Sequence, residues 1–473
     1  VSERFDIAVI GTGPGGYIAA LKAAQMGASV AVVEKHYLGG TCLNYGCIPS
    51  KALLASAGLI HNINNADSMG VKVTGKADFD WSAIQSRKDS VLKNLRTGIK
   101  GLFRARKVKL LQGIGKITAK GQISVKADDG SEQTITADKT IIAVGSAPAT
   151  IPGWPEDKEL ICTSDEALHW KELPKRLLIV GGGVIGCEFA CMMREYGMEV
   201  TVVEMMDRLI PEMEPLLGEQ LEKIFKKRGI KILTSAKVES LKSEAGKINA
   251  DISGAGTLEF DKVLTAVGRR ANTENIGLEN VGIESERGFI KVDDQMRTNV
   301  DGYYCIGDAN GKILLAHAAS AHAITAVKDA LGQDTSKPLP VPWAVYTFPE
   351  VAGVGITGTQ AAQHDLPVRI GQFPIGHLGK AMAVGHTEGV VKVISHHETD
   401  ELLGVHMLGH NATEIIEAAT AMMTAGGTAK DLGNMIFAHP TIGEAVKEAA
   451  EDVFQSALHL PPRKMVRKAA EVE

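Results

Sequence analysis

The sequence predicts an α/β protein in which one strand–turn–helix–strand unit occurs twice, with an α+β module after both. Three observations predict it. A glycine-rich turn lies between an apolar strand and a helix at residues 5–34, and again at residues 176–204. Both copies close on the same tripeptide, Ala-Val-Gly, at residues 143–145 and 266–268. From about Trp343 the pattern changes to short strands followed by helices.

Phe5 to Ile10 (FDIAVI) is short, apolar and rich in β-branched residues, as a buried parallel strand should be. It runs into GTGPGG, with Gly11, Gly13 and Gly16 in GxGxxG register around Pro14 and Gly15. The helical run YIAALKAAQMG and the strand SVAVVE follow, ending at Glu34 before Lys35. In the second copy RLLIV leads into GGGVIG, where Gly181, Gly183 and Gly186 surround Val184 and Ile185. The helix CEFACMMREYG and the strand EVTVVE then end at Glu204. In both copies the acid follows the first glycine by 23 positions. A lone GxGxxG says little, but two with strand, helix and acid in matched register predict two Rossmann-like dinucleotide-binding domains. The glycines permit a tight turn and a close approach of backbone to a pyrophosphate at the helix N-terminus. Glu34 and Glu204 suit ribose hydroxyls, and a carboxylate there repels a 2′-phosphate. Arg208 reads either as a surface charge or as a ligand for such a phosphate.

From the first glycine to the closing alanine is 132 residues in the first copy and 85 in the second. The 47 extra residues fall between Glu34 and Ala143 and carry GGTCLNYGCIPSK, with Gly40, Thr41, Cys42, Cys47 and Lys51. Two thiols this close, beside a nucleotide site, suit electron transfer between a disulfide and a cofactor. Half of a zinc site is the other reading, although cysteines 162, 187, 191 and 305 offer no second pair at ligand spacing. Cys187 and Cys191 share a helix face and read as core packing. The charged stretch from Trp81 to Arg106 is compatible with a helix in the same insertion.

After Arg270 comes mixed sequence and then GYYCIGDAN, a strand running into Gly307-Asp308. VYTFPEVAGVG, GVVKVISH and LLGVHMLG read as antiparallel strands, ATEIIEAATAMMTAG and GEAVKEAAEDVFQ as helices. The expected division is 1–147 and 148–270 for the nucleotide folds, 271–342 as a central domain and 343–473 as the α+β module. The charged end PPRKMVRKAAEVE is expected to be a mobile tail.

The 473 residues carry 51 basic and 56 acidic side chains, a net charge of −5, with no basic stripe suited to nucleic acid. No apolar run reaches membrane-spanning length, and the first strand begins too early to leave room for a signal peptide. The chain starts with Val, which leaves a removed leader open. Six cysteines are few for a secreted disulfide scaffold, so a reducing compartment is expected. That means a bacterial cytoplasm, or a mitochondrial matrix if a leader was removed.

HPTIGE supplies the second chemical feature. Thiol exchange needs a base, imidazole has a suitable pKa, and Glu444 lies five residues after His439 to orient it. A surface His and an acidic first-turn residue are the ordinary alternatives. No set of histidines and acids has metal-ligand spacing, so no metal is expected.

Together these motifs resemble the flavin disulfide oxidoreductases, and within them the branch that oxidises dihydrolipoamide. The resemblance runs through the first fingerprint, GGTCLNYGCIPSKALL, GGGVIGCE, GYYCIGDA, VYTFPEVAGVG and HPTIGEA, in the family's order. It implies FAD in the first fold and NAD in the second. The implied FAD contacts are Gly11, Gly13, Pro14, Gly15, Gly16, Glu34, Lys35, Gly40, Thr41, Lys51, Gly115, Ala143, Gly145, Ser146 and Asp308. The further implied cofactor contacts, in the second copy, are Gly181, Gly183, Val184, Ile185, Gly186, Glu188, Glu204, Gly268 and Arg269. It further implies a redox disulfide between Cys42 and Cys47, and a Lys51–Glu188 pair beside the flavin. A homodimer built on the C-terminal domain would bring His439 and Glu444 to the other subunit's Cys42. Its partners would be the lipoyl domains of 2-oxo acid dehydrogenase acyltransferases or the lipoyl carrier of glycine cleavage. Phe348, the runs 374–383 and 317–323, and Tyr45 between the cysteines depart from the family's usual residues.

Overall fold

The computed structural model describes residues 3–75, 77–155, 157–335 and 338–462. The charged end expected to be a mobile tail lies outside the described residues from 463 on. In the first fold Lys109–Gln112, Val30–Glu34, Glu3–Ile10 and Glu132–Ile142 lie side by side in parallel. Every residue of Val30–Glu34 is buried, which explains a strand without polar alternation. Helix α1 (Pro14–Gln25) turns Gly15, Gly16, Ala19, Ala20 and Ala23 inward, small residues that allow close packing.

The strand Glu132–Ile142 forks. Its first half pairs antiparallel with Gln122–Lys126, and its end takes Tyr303–Cys305 in parallel, Tyr303 opposite Thr140. Helix Ala316–Ala330 packs against α1. Its Ala323, Ala326 and Val327 join the core of Ile7, Val9 and Ala20. Residues 271–342, expected as a central domain, thus share a sheet and a core with the first nucleotide fold.

Among the described residues the insertion holds three α-helices: α2 (Gly40–Tyr45), α3 (Cys47–Asn64) and α4 (Trp81–Ala105). Helix α4 matches the charged stretch expected to be helical, and Asp80 caps it by accepting from the Ala83 amide at 3.0 Å. The second fold has five parallel strands ordered Lys231–Leu233, Glu199–Val203, Arg176–Val180, Lys262–Thr265, Ile161–Thr163. A short antiparallel ribbon, Ser146–Pro148 with Arg269–Ala271, ties it to the first fold.

The C-terminal module is an antiparallel sheet ordered Trp343–Val345, Glu350–Gly355, Leu402–Gly409, Val390–His396, Val368–Pro374. Helices Ala412–Thr424 and Glu444–Asp452 pack on it. A buried ion pair, Lys392 Nζ to Glu214 at 2.5 Å, joins this sheet to the second nucleotide fold. Among the described residues no helix is long and apolar enough to cross a membrane.

Candidate active site

The two cysteines sit on either side of a helix break. Cys42 belongs to α2, Gly46 interrupts with φ −148° and ψ −112°, and Cys47 is the first residue of the 18-residue α3. A Cβ at Gly46 would lie 3.2 Å from the Thr41 carbonyl oxygen, so the break is made where no side chain intrudes. Both thiols are free; Cys42 is half-buried and Cys47 exposed. The N-terminal turn of a long helix favours negative charge, which suits a thiolate at Cys47. One turn on, Lys51 extends its ammonium toward the buried Glu188 of helix Val184–Glu195, with 2.8 Å to each carboxylate oxygen. Glu188 also accepts from the Tyr346 amide at 3.0 Å, and the Tyr346 ring lies 4.3 Å below the Lys51 ammonium.

These surroundings separate the two thiols. A hydrogen bond from Cys42, followed by the Lys51 charge, draws the Cys47 thiol down to about 7 against the pull of burial. The same bond, together with burial, pushes the Cys42 thiol far up. When the reduced pair loses its first proton, that proton therefore leaves Cys47 and Cys42 keeps its own. Among the described residues no cluster of three His, Cys, Asp or Glu could hold a metal ion.

The two glycine turns have the same geometry. A Cβ at Gly16 would lie 2.0 Å from the Gly11 carbonyl oxygen, and one at Gly186 1.9 Å from that of Gly181. Gly11 and Gly181, at φ +101° and +106°, press in turn on the carbonyls of Ala143 and Ala266. The middle glycines, Gly13 and Gly183, face open space, and neither helix that follows has a side-chain cap. Uncapped amides beneath an open glycine fit a pyrophosphate at both sites. Pro14 at the start of α1 forgoes an amide that no helix bond would use.

Glu34 and Glu204 are equivalent as well. Glu34 accepts from the Thr12 amide at 2.9 Å and the His36 amide at 2.9 Å. Glu204 accepts from the Gly182 amide at 2.6 Å and the Met206 amide at 2.7 Å. Each carboxylate thus fixes its own glycine turn and keeps lone pairs for ribose hydroxyls. Lys35 is exposed beside Glu34. Gly115 lies in the sheet, where a Cβ would come 3.1 Å from Val33 and 3.2 Å from Ile10, so it has a packing reason of its own.

The remaining expected contacts converge from three parts of the chain. Asp308 accepts from the Ser146 hydroxyl at 2.5 Å. Arg269 donates to the Ser146 hydroxyl at 2.7 Å and to its carbonyl at 2.8 Å. Thr41 reaches the same carbonyl at 3.5 Å. Arg269, at the end of the second fold, therefore braces Ser146 of the first. Gly145 and Gly268 hold positive φ of +69° and +115° and face open space.

His439 and Glu444 meet as expected, with Nδ1 2.9 Å from a carboxylate oxygen. Burial raises the Glu444 carboxyl, but the Thr441 amide and the His439 ring together hold it below the ordinary range. The His439 side chain is 79% exposed on the C-terminal module, where its ring partner is Glu444 and not a thiol. Sequence reasoning passed over Tyr346, whose amide and ring both serve the Lys51–Glu188 pair. Its signal lay in VYTFPE, next to a chain reversal.

A two-electron thiol pair, two dinucleotide cradles and a separate imidazole–carboxylate pair define a pyridine-nucleotide flavoenzyme acting on disulfides. Residues 5–323 match the pyridine nucleotide-disulphide oxidoreductase family, and 341–450 match that family's dimerisation domain. The chain belongs to this family. It is an oxidoreductase that uses FAD and NAD, and its C-terminal module is one through which two copies pair. It is 39% identical to the dihydrolipoyl dehydrogenase of Bacillus subtilis, across 97% of this chain and 100% of that one. With the Zymomonas mobilis dihydrolipoyl dehydrogenase it is 40% identical, over 97% and 100%. Among solved structures, LpdA of Mycobacterium tuberculosis superposes with a TM-score of 0.88 at 28% identity, over 95% of this chain and 99% of that one. The HOCl-induced flavoprotein disulfide reductase RclA of Escherichia coli gives 0.84 at 26%, over 94% and 99%.

Proposed function

We propose that the chain oxidises protein-bound dihydrolipoamide to lipoamide and reduces NAD⁺, the activity its full-length relatives are named for. The observation that carries this reading is Cys47 at the head of α3, its thiol drawn down to about 7, with Lys51 one turn away. A second thiol, Cys42, keeps its proton.

In the catalytic sequence, His439 of the partner subunit takes a proton from one thiol of the substrate. The new thiolate attacks the sulfur of Cys42 in the Cys42–Cys47 disulfide, and Cys47 leaves as thiolate. The α3 N-terminus and Lys51 hold that charge. The second substrate thiol attacks the mixed disulfide, closes the lipoyl ring and expels Cys42, which takes up a proton. The substrate's two electrons then reside in the cysteine pair. FAD, when bound, would supply a two-electron relay between the cysteine pair and NAD⁺. Gly11, Gly13 and Gly16 serve its pyrophosphate, Glu34 its ribose and Asp308 its ribityl chain. Gly181, Gly183, Gly186 and Glu204 would do the corresponding work for NAD⁺, and the Lys51–Glu188 pair would lie beside the flavin ring. Glu444 orients His439 and stabilises its protonated form.

Lipoyl domains of a 2-oxo acid dehydrogenase or of glycine cleavage are the substrates this reading implies. The bacterial relatives support a bacterial cytoplasm as its place of action. Steady-state NAD⁺ reduction with dihydrolipoamide, with the flavin absorption recorded alongside, tests the proposal. Turnover should be present in the parent and abolished in Cys42→Ser; near-native turnover in that variant would sink it.

A further inference from the structure

Helix α4 lies outside the reactive centre, yet one of its side chains reaches the loop between the cysteines directly and a second reaches it through His169. Asn44, midway in that loop, is buried. Its amide donates to the carbonyls of Leu38 at 3.0 Å and Gly40 at 2.8 Å. Its side-chain oxygen accepts from Arg96 of α4 at 3.0 Å, and the Arg96 guanidinium lies 4.8 Å from the centre of the Tyr37 ring. Two turns earlier on α4 is Lys88, a buried lysine whose ammonium donates to the Leu168 carbonyl at 2.9 Å and Gln85 at 2.6 Å. It also lies 3.1 Å from Nδ1 of His169. An ammonium only donates, so that nitrogen accepts and the ring's other nitrogen carries the hydrogen. The same ring bonds the Asn44 main chain and meets the Tyr45 ring edge-on at 5.9 Å.

We propose that Arg96 and the Lys88–His169 pair form a clamp that holds the Cys42–Cys47 loop ready for disulfide closure, acting as positioning residues through Asn44. The inference rests on the reading of these cysteines as the redox pair. On oxidation the Cys42 S–H bond breaks, the Cys47 thiolate gives up its charge and one S–S bond forms. The two electrons pass to lipoamide, whose own S–S bond opens and takes up two protons, one from Cys42 and one from the Cys47 thiol or from water. A disulfide needs its α-carbons about 4.4–6.8 Å apart, so the loop must be confined when the bond forms. In the disulfide the covalent bond itself confines it; in the dithiol the Asn44 bonds to Leu38 and Gly40, braced by the clamp, do so. Loss of the clamp therefore frees the loop in the dithiol alone and favours that form.

The test equilibrates the holoenzyme with defined ratios of dihydrolipoamide to lipoamide, alkylates free thiols and measures the fraction of Cys42–Cys47 disulfide by mass spectrometry. Variants are Arg96→Met and His169→Phe, singly and together, with Arg96→Lys as the rescue. His169 is exposed and Arg96 half-exposed, so none of these opens a core cavity. We expect the double variant to shift the equilibrium toward dithiol by about tenfold, equivalent to about 30 mV for two electrons. Arg96→Lys should return most of the single-variant shift, and the shift should persist far below the unfolding temperature. Parent-like midpoints in all variants, with a disulfide present in the parent, would overturn the clamp alone. A parent that forms no Cys42–Cys47 disulfide at any ratio would overturn the redox reading and the clamp with it.

Discussion

Lys51 and Glu188 come from different nucleotide folds and meet with 2.8 Å between the ammonium and each carboxylate oxygen. The Tyr346 amide from the third module completes the carboxylate's shell. One ion pair therefore fixes three parts of the chain around the dithiol. Because Lys51 stands one turn from Cys47, it also sets the charge that this thiol can carry.

Lys51→Met should raise the Cys47 pKa by about one unit, through loss of a nearby positive charge. The Cys47 thiol lies near 7, below its ordinary value of 9.0, so its thiolate dominates above neutrality and is lost as pH falls. In the variant the thiolate fraction at neutral pH falls from about half to about a tenth. The rate of iodoacetamide alkylation of the reduced enzyme against pH reads this directly; an unmoved midpoint excludes Lys51 as a cause.

His439→Gln should lower kcat for dihydrolipoamide by about 10²–10⁴-fold, the range for loss of a general base. Its ring is 79% exposed, so thermal stability should change by less than about 0.5 kcal/mol. Retention of full turnover would remove His439 from the mechanism.

The twin glycine turns allow the two nucleotide sites to be separated. Gly186→Ala places a methyl group 1.9 Å from the Gly181 carbonyl and should cripple NADH oxidation while flavin stays bound. Gly16→Ala places one 2.0 Å from the Gly11 carbonyl and should yield protein depleted of flavin. Flavin content by absorbance and NADH binding by calorimetry distinguish them; identical losses in both variants would contradict two separate cradles.

At the second site, Glu204 should make kcat/KM with NADH exceed that with NADPH. Glu204→Gln should narrow the ratio, since a carboxamide no longer repels a 2′-phosphate, although its single oxygen can accept from only one of the Gly182 and Met206 amides. Equal efficiencies in the parent would contradict the assignment.

The Glu214–Lys392 pair predicts a stability effect. Burial opposes the Glu214 charge, but the Lys392 ammonium and the Gly358 amide outweigh it and hold the carboxyl below its ordinary value of 4.5. The unfolded chain therefore binds this proton more readily. The pair's contribution is present above that value and is lost as pH falls through the folded one. Lys392→Met leaves a buried carboxylate unpaired and should cost about 3–5 kcal/mol at neutral pH by urea unfolding. A loss below 1 kcal/mol would show that water reaches Glu214.

The two fingerprints were legible because glycine spacing and a fixed acid record the same backbone requirement twice. Cys42, Cys47, Lys51 and Glu188 were legible through motif, and the structure adds the helix start that separates the two thiols. Tyr303–Cys305 was visible as a strand but not as part of the first sheet, because its pairing spans more than a hundred residues of intervening chain. The strand Val368–Pro374 was missed: its sequence, VRIGQFP, mixes an edge strand with glycine and proline. Arg96 and Lys88 lie within a charged helical stretch, and nothing along the chain shows that Arg96 turns toward Asn44 or Lys88 toward His169. The role proposed for His439 depends on a second copy, and a single chain shows only its contact with Glu444.

Because Tyr303–Cys305 returns to the first sheet, the second nucleotide fold is a cassette set into the first. It leaves and re-enters through the neighbouring strands Ser146–Pro148 and Arg269–Ala271. Entry and exit side by side mean that such a unit can be exchanged for another of different nucleotide preference without re-threading the host. The graft has one condition: the incoming unit must bring an arginine at the exit strand to hold Ser146, and a glutamate at the Glu188 position to hold Lys51.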